Sequence, residues 1–135
     1  MNAVIAELKS DGTLEGILDY YIGNGEGSSP YQSPAGINYP NGKLVMATEA
    51  TFPPYEYFED GKIVGVDADL ARAICDRLGY SLEITDMSFD AVIPALQSGK
   101  ADFAAAGMSV TDERKESIDF TDSYVTATLV ILVNK

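Results

Sequence analysis

Apolar residues in the first part of the chain recur at helical spacing. Val4, Ile5 and Leu8 share one face, and Leu14, Ile17, Leu18, Tyr21 and Ile22 follow the i, i+3, i+4, i+7, i+8 pattern of a second helix. Between them, Ser10-Asp11-Gly12-Thr13 supplies a glycine suited to the left-handed position that ends one helix and a threonine suited to cap the next. The spacing predicts a helical hairpin over 2–22. The following stretch, 24–42, has no periodic apolar face and is rich in Gly, Ser and Pro, which reads as a linker.

From Lys43 the pattern changes to alternating strands and helices. Leu44 to Ala47 is a short apolar run, as in a strand covered on both faces, ending near Thr48. Phe58 to Val64 reads as a turn between short extended pieces, and Asp67 is placed to cap a helix with Leu70, Ala71, Ile74, Cys75 and Leu78 inside and Gly79 as its stop. Ser81 to Thr85 alternates like a strand. Phe89, Val92, Ile93 and Leu96 form a helical face, although Pro94 removes one of its hydrogen bonds. Ala101 to Ala106 is expected to be a third apolar strand, Thr111 to Glu116 a short charged helix, and Thr128 to Val133 a last strand.

The order β-α-β-α-β-α-β predicts a three-layer α/β fold, a mostly parallel sheet with helices on both faces. Three divisions follow: a hairpin over 1–23, the linker over 24–42, and the α/β lobe over 43–135.

Composition narrows the chemistry. The chain has 135 residues, 46% of them hydrophobic, enough for one domain with a substantial core. Nine Lys and Arg against 21 Asp and Glu give a net charge of −12, which repels a phosphate backbone and argues against nucleic-acid binding. There is no His, which removes triads and zinc sites built on imidazole. The single cysteine, Cys75, rules out an internal disulfide and C-x-x-C chemistry. Asp67 and Asp69 open a helix, where its dipole explains them without a metal. The opening MNAVIAELKSDG is charged where a signal peptide needs an apolar run, so no export signal is expected in this chain.

In parallel α/β sheets the ligand crevice lies outside the carboxyl ends of the strands. Glu49 to Phe52, Met87 to Asp90, and Gly107 to Arg114 fall there. Arg114 and Ser109 could capture a carboxylate through a planar guanidinium and a hydroxyl, with Phe52 and Phe89 covering an apolar or cationic part. The residues alone leave other readings open. Arg114 sits in a charge run that also describes a solvated face, Phe89 could be core, Phe52 a loop anchor, Ser109 a turn residue and Glu49 a solvated strand end.

Four motifs are more specific together: FPPYE, GVDADLA, IPALQSGKAD and GMSVTDERK. Residues 43–135 resemble the first lobe of the extracellular, or periplasmic, solute-binding proteins of amino-acid ABC transporters. The resemblance implies one lobe of a type II periplasmic-binding-protein fold, with the hairpin corresponding to the family's C-terminal helices in permuted order. It implies that Arg114 and Ser109 hold the ligand α-carboxylate, that the Gly107 carbonyl receives the α-ammonium, and that Phe52 and Phe89 cover the side chain. Family members often carry Ser or Thr at Ala106, Asp at Glu49 and Trp at Phe89. Glu49 would favour a basic or amide side chain over an acidic one.

No cofactor, metal or catalysis is implied. The implied partners are an amino acid and, for the full-length parent, a membrane ABC permease, outside the cytoplasm and with a lipid anchor in some parents. A lone lobe is expected to bind weakly, at about the millimolar level, because half its contacts are missing. The competing expectations are a fragment of a cyclohexadienyl-dehydratase-like enzyme with Glu49 as general acid, and a sensing or interaction domain whose copies pair through the exposed cleft or hinge face.

Overall fold

The structure, a computed structural model, describes residues 1–127, 131 and 133. Two helices open it, α1 (Asn2–Ser10) and α2 (Thr13–Tyr21). Their apolar faces meet each other and the long helix α3 (Val66–Leu78), so that Val4, Ile5, Leu8, Leu14 and Ile17 form one core with Val66, Leu70, Ala73 and Ile74. Gly12 turns the hairpin in the left-handed conformation, φ 83°. Thr13 is not the cap it was expected to be. It is the first helical residue, and its N–H donates to the Asp11 carboxylate at 2.9 Å, because an aspartate two residues back closes an Asx turn more directly. Asp11 also accepts from Arg77 in the last turn of α3 at 2.7 Å, which ties the hairpin turn to that helix.

Residues 24–42 form no helix or strand, yet they are strapped onto α3. The Tyr31 N–H donates to Asp69 at 2.9 Å, and the Tyr31 and Tyr39 hydroxyls each donate to Asp76 at 3.0 Å. Asn41 then bonds the carbonyls of Leu78 and Gly79, at 2.7 and 3.0 Å, leading directly into the first strand. Gly79 ends α3 at φ 73°, as its position predicted.

The main sheet contains β1 (Lys43–Thr48), β5 (Ser81–Asp86) and β6 (Phe103–Ala104) in the order β5-β1-β6, all parallel. Lys43 pairs with Ser81 and the register runs to Thr48 opposite Asp86. Between β1 and β5, β2 (Thr51–Phe52), β3 (Glu56–Glu59) and β4 (Lys62–Val64) form a small antiparallel sheet before α3 begins. Asp60 and Gly61, both at positive φ, make its tight turn, as in hairpins whose loop matches the strand twist.

Helix α4 (Phe89–Gln97) covers the other face of the sheet, where Val92 and Ala95 pack on Ala47 and Ala101. The helix runs through Pro94, which is exposed and forfeits one bond to the carbonyl four residues earlier. Helices therefore cover both faces, as the alternation of elements predicted. A short helix, α5 (Asp112–Lys115), follows β6.

Three expectations change in detail. The strand expected over 101–106 is only two residues of ladder, although Asp102 and Ala105 still donate to the β1 carbonyls of Val45 and Ala47. Asp67 does not cap α3: Gly65 occupies that position, and the Asp67 side chain turns into the core. The strand expected over 128–133 falls on residues that, apart from 131 and 133, lie outside the described ones.

Leu8 is 1% exposed at the contact of the hairpin with α3. Leu8→Ala is expected to cost about 2–5 kcal/mol in equilibrium urea unfolding. A change under about 0.5 kcal/mol would show that the hairpin adds nothing to the core.

Candidate functional site

The chain reaches β5 from β1 through α3 and returns to β6 through α4, so the two neighbours of β1 are connected over opposite faces. That reversal opens a crevice outside the carboxyl ends of β1 and β6. Polar bonds fix the strand ends there. The Thr48 hydroxyl donates to the Ala105 carbonyl at 2.7 Å, the Met87 N–H to the Thr48 carbonyl at 2.9 Å, and the Ala50 N–H to the Asp86 carboxylate at 2.8 Å.

Phe52, in β2, is 47% exposed and lies stacked on Tyr55, with ring centroids 5.4 Å apart and planes 16° from parallel. Its ring edge lies over Gly107. A Cβ at Gly107 would stand 2.8 Å from two Phe52 ring carbons, and Gly107 has φ 54°, so space and backbone conformation both require glycine. On the far side of the same loop, Thr111 caps α5 by accepting the Arg114 N–H at 3.2 Å. The Arg114 guanidinium donates to the Ser109 carbonyl at 2.8 Å and stands 5.3 Å from the centre of the Phe89 ring, at the start of α4. Attraction between a cation and a ring face holds such a pair.

The structure thus brings Phe52 against Gly107, and Phe89 and the Ser109 carbonyl each against Arg114, along the single loop 107–114. Ser109 engages Arg114 through its backbone carbonyl, and its side chain is exposed. Among the described residues no salt bridge involves Arg114, in a chain of net charge −12. Glu49 is half-buried at the end of β1, and its charge acts on the buried Glu56. The site is an open shelf. The 530 Å³ groove lined by Leu14, Leu18, Ile22 and Tyr124, and the 450 Å³ one lined by Ile63, Leu82 and Ile84, contain none of the expected site residues.

Beneath the shelf lies a cluster that sequence reasoning missed. Asp67, in the first turn of α3, is fully buried. One of its oxygens accepts the Gly107 N–H at 2.8 Å and the other the Tyr124 hydroxyl at 2.6 Å. Glu56 of β3, 1% exposed, stands beside it, and its Oε2 has no hydrogen-bond partner among the described residues. Burial first, and then the Asp67 charge and its hydrogen bond, push the Glu56 carboxyl up to about 9. Glu56 is therefore the protonated member at neutral pH; burial raises the Asp67 carboxyl as well, against the lowering effect of the Tyr124 hydroxyl and the Gly107 N–H that face it. The available signal was two acids set inside apolar motifs, Tyr55-Glu56-Tyr57 and Val66-Asp67-Ala68.

Among the described residues, no group of three or more His, Cys, Asp or Glu is placed to hold a metal ion, and the Cys75 thiol is buried. No helix among them is long and apolar enough to cross a membrane.

Comparison with known proteins places this arrangement. The sequence profile of the bacterial extracellular solute-binding proteins, family 3, matches residues 44–135. The arginine-binding extracellular protein ArtP of Bacillus subtilis (strain 168) is 44% identical over 93 residues, which is 69% of this chain and 36% of that protein. The solved structure of an ancestral arginine-binding protein bound to arginine superposes with a TM-score of 0.60 at 52% identity, covering 62% of this chain and 37% of the other. A single-substitution variant of domain 1 from TmArgBP, in its arginine-bound form, superposes with a TM-score of 0.60 at 34% identity, over 90% of this chain and 71% of the other. The chain spans about a third of the length of the curated relatives it matches, 36% for ArtP.

Gly107→Ala is expected to lower stability by about 1–3 kcal/mol through left-handed strain and the clash with Phe52. In a Phe52→Ala background the steric part should vanish and the loss shrink, as a double-mutant cycle in urea unfolding would measure. Equal losses in both backgrounds would show that the ring does not rest on Gly107.

Proposed function

The chain belongs to the bacterial extracellular solute-binding proteins, family 3, and on that premise we propose that its α/β lobe binds L-arginine outside the cytoplasm for delivery to a membrane ABC permease. The observation that carries this reading is the Arg114 guanidinium. It is stacked on Phe89 and braced by the Ser109 carbonyl, and it has no carboxylate partner among the described residues of a strongly acidic chain. A cation held in that way meets an anion brought by a ligand, and an α-carboxylate matches its planar fork.

The remaining roles follow from position. The exposed Ser109 side chain adds a hydroxyl to the carboxylate, and the backbone of the Gly107 turn offers a carbonyl to the α-ammonium. Phe52 and Phe89 flank the shelf and suit the flat, weakly hydrated guanidinium of arginine, which stacks on rings. Glu49 at its edge favours a cationic side chain, and the net charge of −12 draws a cationic amino acid toward the surface. The arginine-bound relatives support this choice of ligand, and the arginine-bound single domain supports binding by one lobe. The hairpin as the part of the lobe that the family places at its C-terminus belongs to the same proposal. Binding without chemistry is the function proposed.

Isothermal titration tests the reading. L-arginine is expected to bind with a Kd on the order of 0.1–1 mM, and L-glutamate at least about tenfold more weakly. Arg114→Ala should weaken arginine by about 10- to 150-fold, the worth of a charge-assisted hydrogen-bonded pair. Equal binding of glutamate, or an Arg114→Ala variant that binds arginine as the parent does, would overturn it.

A further inference from the structure

We propose that Glu56 and Asp67, two carboxyls buried beneath the Gly107 turn, are positioning residues that aim that turn at the ligand. The role in ligand binding rests on the reading above; the coupling of the pair to the Gly107 backbone does not.

Asp67 is the only contact through which α3 takes hold of the loop that follows β6, among the hydrogen bonds of the described residues. Its Oδ2 fixes the Gly107 N–H at 2.8 Å. A trans peptide sets N–H and C=O on opposite sides, so pinning that N–H inward turns the Ala106 carbonyl away from the buried carboxylates. Gly107 itself is left-handed and lies under Phe52. From there the loop runs through Ser109 to Arg114, and the direction of the whole segment is set at its root.

The grip depends on Asp67 remaining an acceptor with a single charge beside it. The groups facing the pair are the Glu49 carboxylate from the end of β1, the Tyr124 hydroxyl from the C-terminal segment, Tyr55 nearby, and the Gly107 N–H. None of these supplies a positive charge. With Glu56 1% exposed and Asp67 fully buried, a second ionised carboxyl would have neither water nor a cation to stabilise it. A proton on Glu56 removes that repulsion and lets the buried Oε2, unpartnered among the described residues, act as a donor toward Asp67. Deprotonation forces the two carboxylates apart, and the Gly107 N–H is what Asp67 then releases or drags with it.

The sign follows from linkage. The Glu56 carboxyl titrates near 9 in the folded chain against an ordinary 4.5, so the folded form binds the extra proton between those values, and the stability it provides falls as pH rises across that window.

Two measurements on the whole chain test the proposal. In ligand-free samples, the Gly107 amide resonance should shift as pH is raised from about 7 to 9.5, and the same resonance in Glu56→Gln should not, because the amide side chain donates to Asp67 at every pH. Arginine affinity should fall at least about fivefold more over that range in the parent than in Glu56→Gln, which experiences the same titration of the ligand and of every other residue. Asp67→Asn should weaken arginine by at least about tenfold at pH 7 with unchanged far-UV circular dichroism. A Gly107 amide that titrates identically in parent and Glu56→Gln overturns the proposal. An amide that responds as described in a chain that does not bind arginine leaves the coupling standing and rejects the ligand reading alone.

Discussion

Buried carboxylates on one helix are the constraint around which this lobe is assembled. Asp67 and Asp69 on α3 are buried and must find donors, since a carboxylate withdrawn from water without them costs several kcal/mol, and the half-buried Asp76 gathers two more. The donors come from far along the chain. Asp67 takes the Gly107 N–H and the Tyr124 hydroxyl; Asp69 takes the Tyr21 hydroxyl, the Tyr31 N–H and Arg72; Asp76 takes the hydroxyls of Tyr31 and Tyr39. Hydrogen bonds to a charged acceptor are about twice as strong as neutral ones and strongly directional. They convert α3 from one packed helix into the element that fixes the hairpin, the strap over 24–42, the small antiparallel sheet and the loop after β6.

This arrangement separates two tasks. Apolar packing on both faces of the parallel sheet supplies stability: the hairpin and α3 on one side, and α4 on Ala47 and Ala101 on the other. Polar contacts supply direction at the carboxyl ends of the strands, where Thr48 ties β1 to the segment after β6 and Asp86 ties β5 to the loop after β1. The loop from Gly107 to Arg114 is exposed for most of its length, so its shape depends on a few such anchors. On the open shelf the Arg114 guanidinium is braced by Phe89 and the Ser109 carbonyl and has no carboxylate partner among the described residues. Because the shelf is open, solvent screens every contact it makes.

Much of the architecture was legible in the sequence because it follows from short-range periodicity. The 3.6-residue spacing in α1, α2 and α3, the apolar run of β1, the stop at Gly79, the turn within Phe58 to Val64 and the short charged helix after β6 all depend on neighbours within a few positions. The errors arose where a local preference lost to a nearby competitor. Asp11 displaced Thr13 as the group serving the first N–H of α2, and Gly65 displaced Asp67 at the start of α3. The strap over 24–42 looked like a free tether because its tyrosines are isolated in the sequence. Their partners lie 38 and 37 positions away, for the Tyr31 N–H on Asp69 and the Tyr39 hydroxyl on Asp76.

The site divides in the same way. The sequence by itself determined which residues would lie at the ends of the parallel strands, and the motifs around Phe52, Phe89, Gly107, Ser109 and Arg114 identified the family. Only the tertiary structure decided that Arg114 stacks on Phe89, that Phe52 needs a bare backbone at Gly107, and that Glu56 and Asp67 meet beneath that turn. The reason is physical: the state of a carboxyl depends on the water and charges around it, and those are supplied by segments that only folding brings into contact.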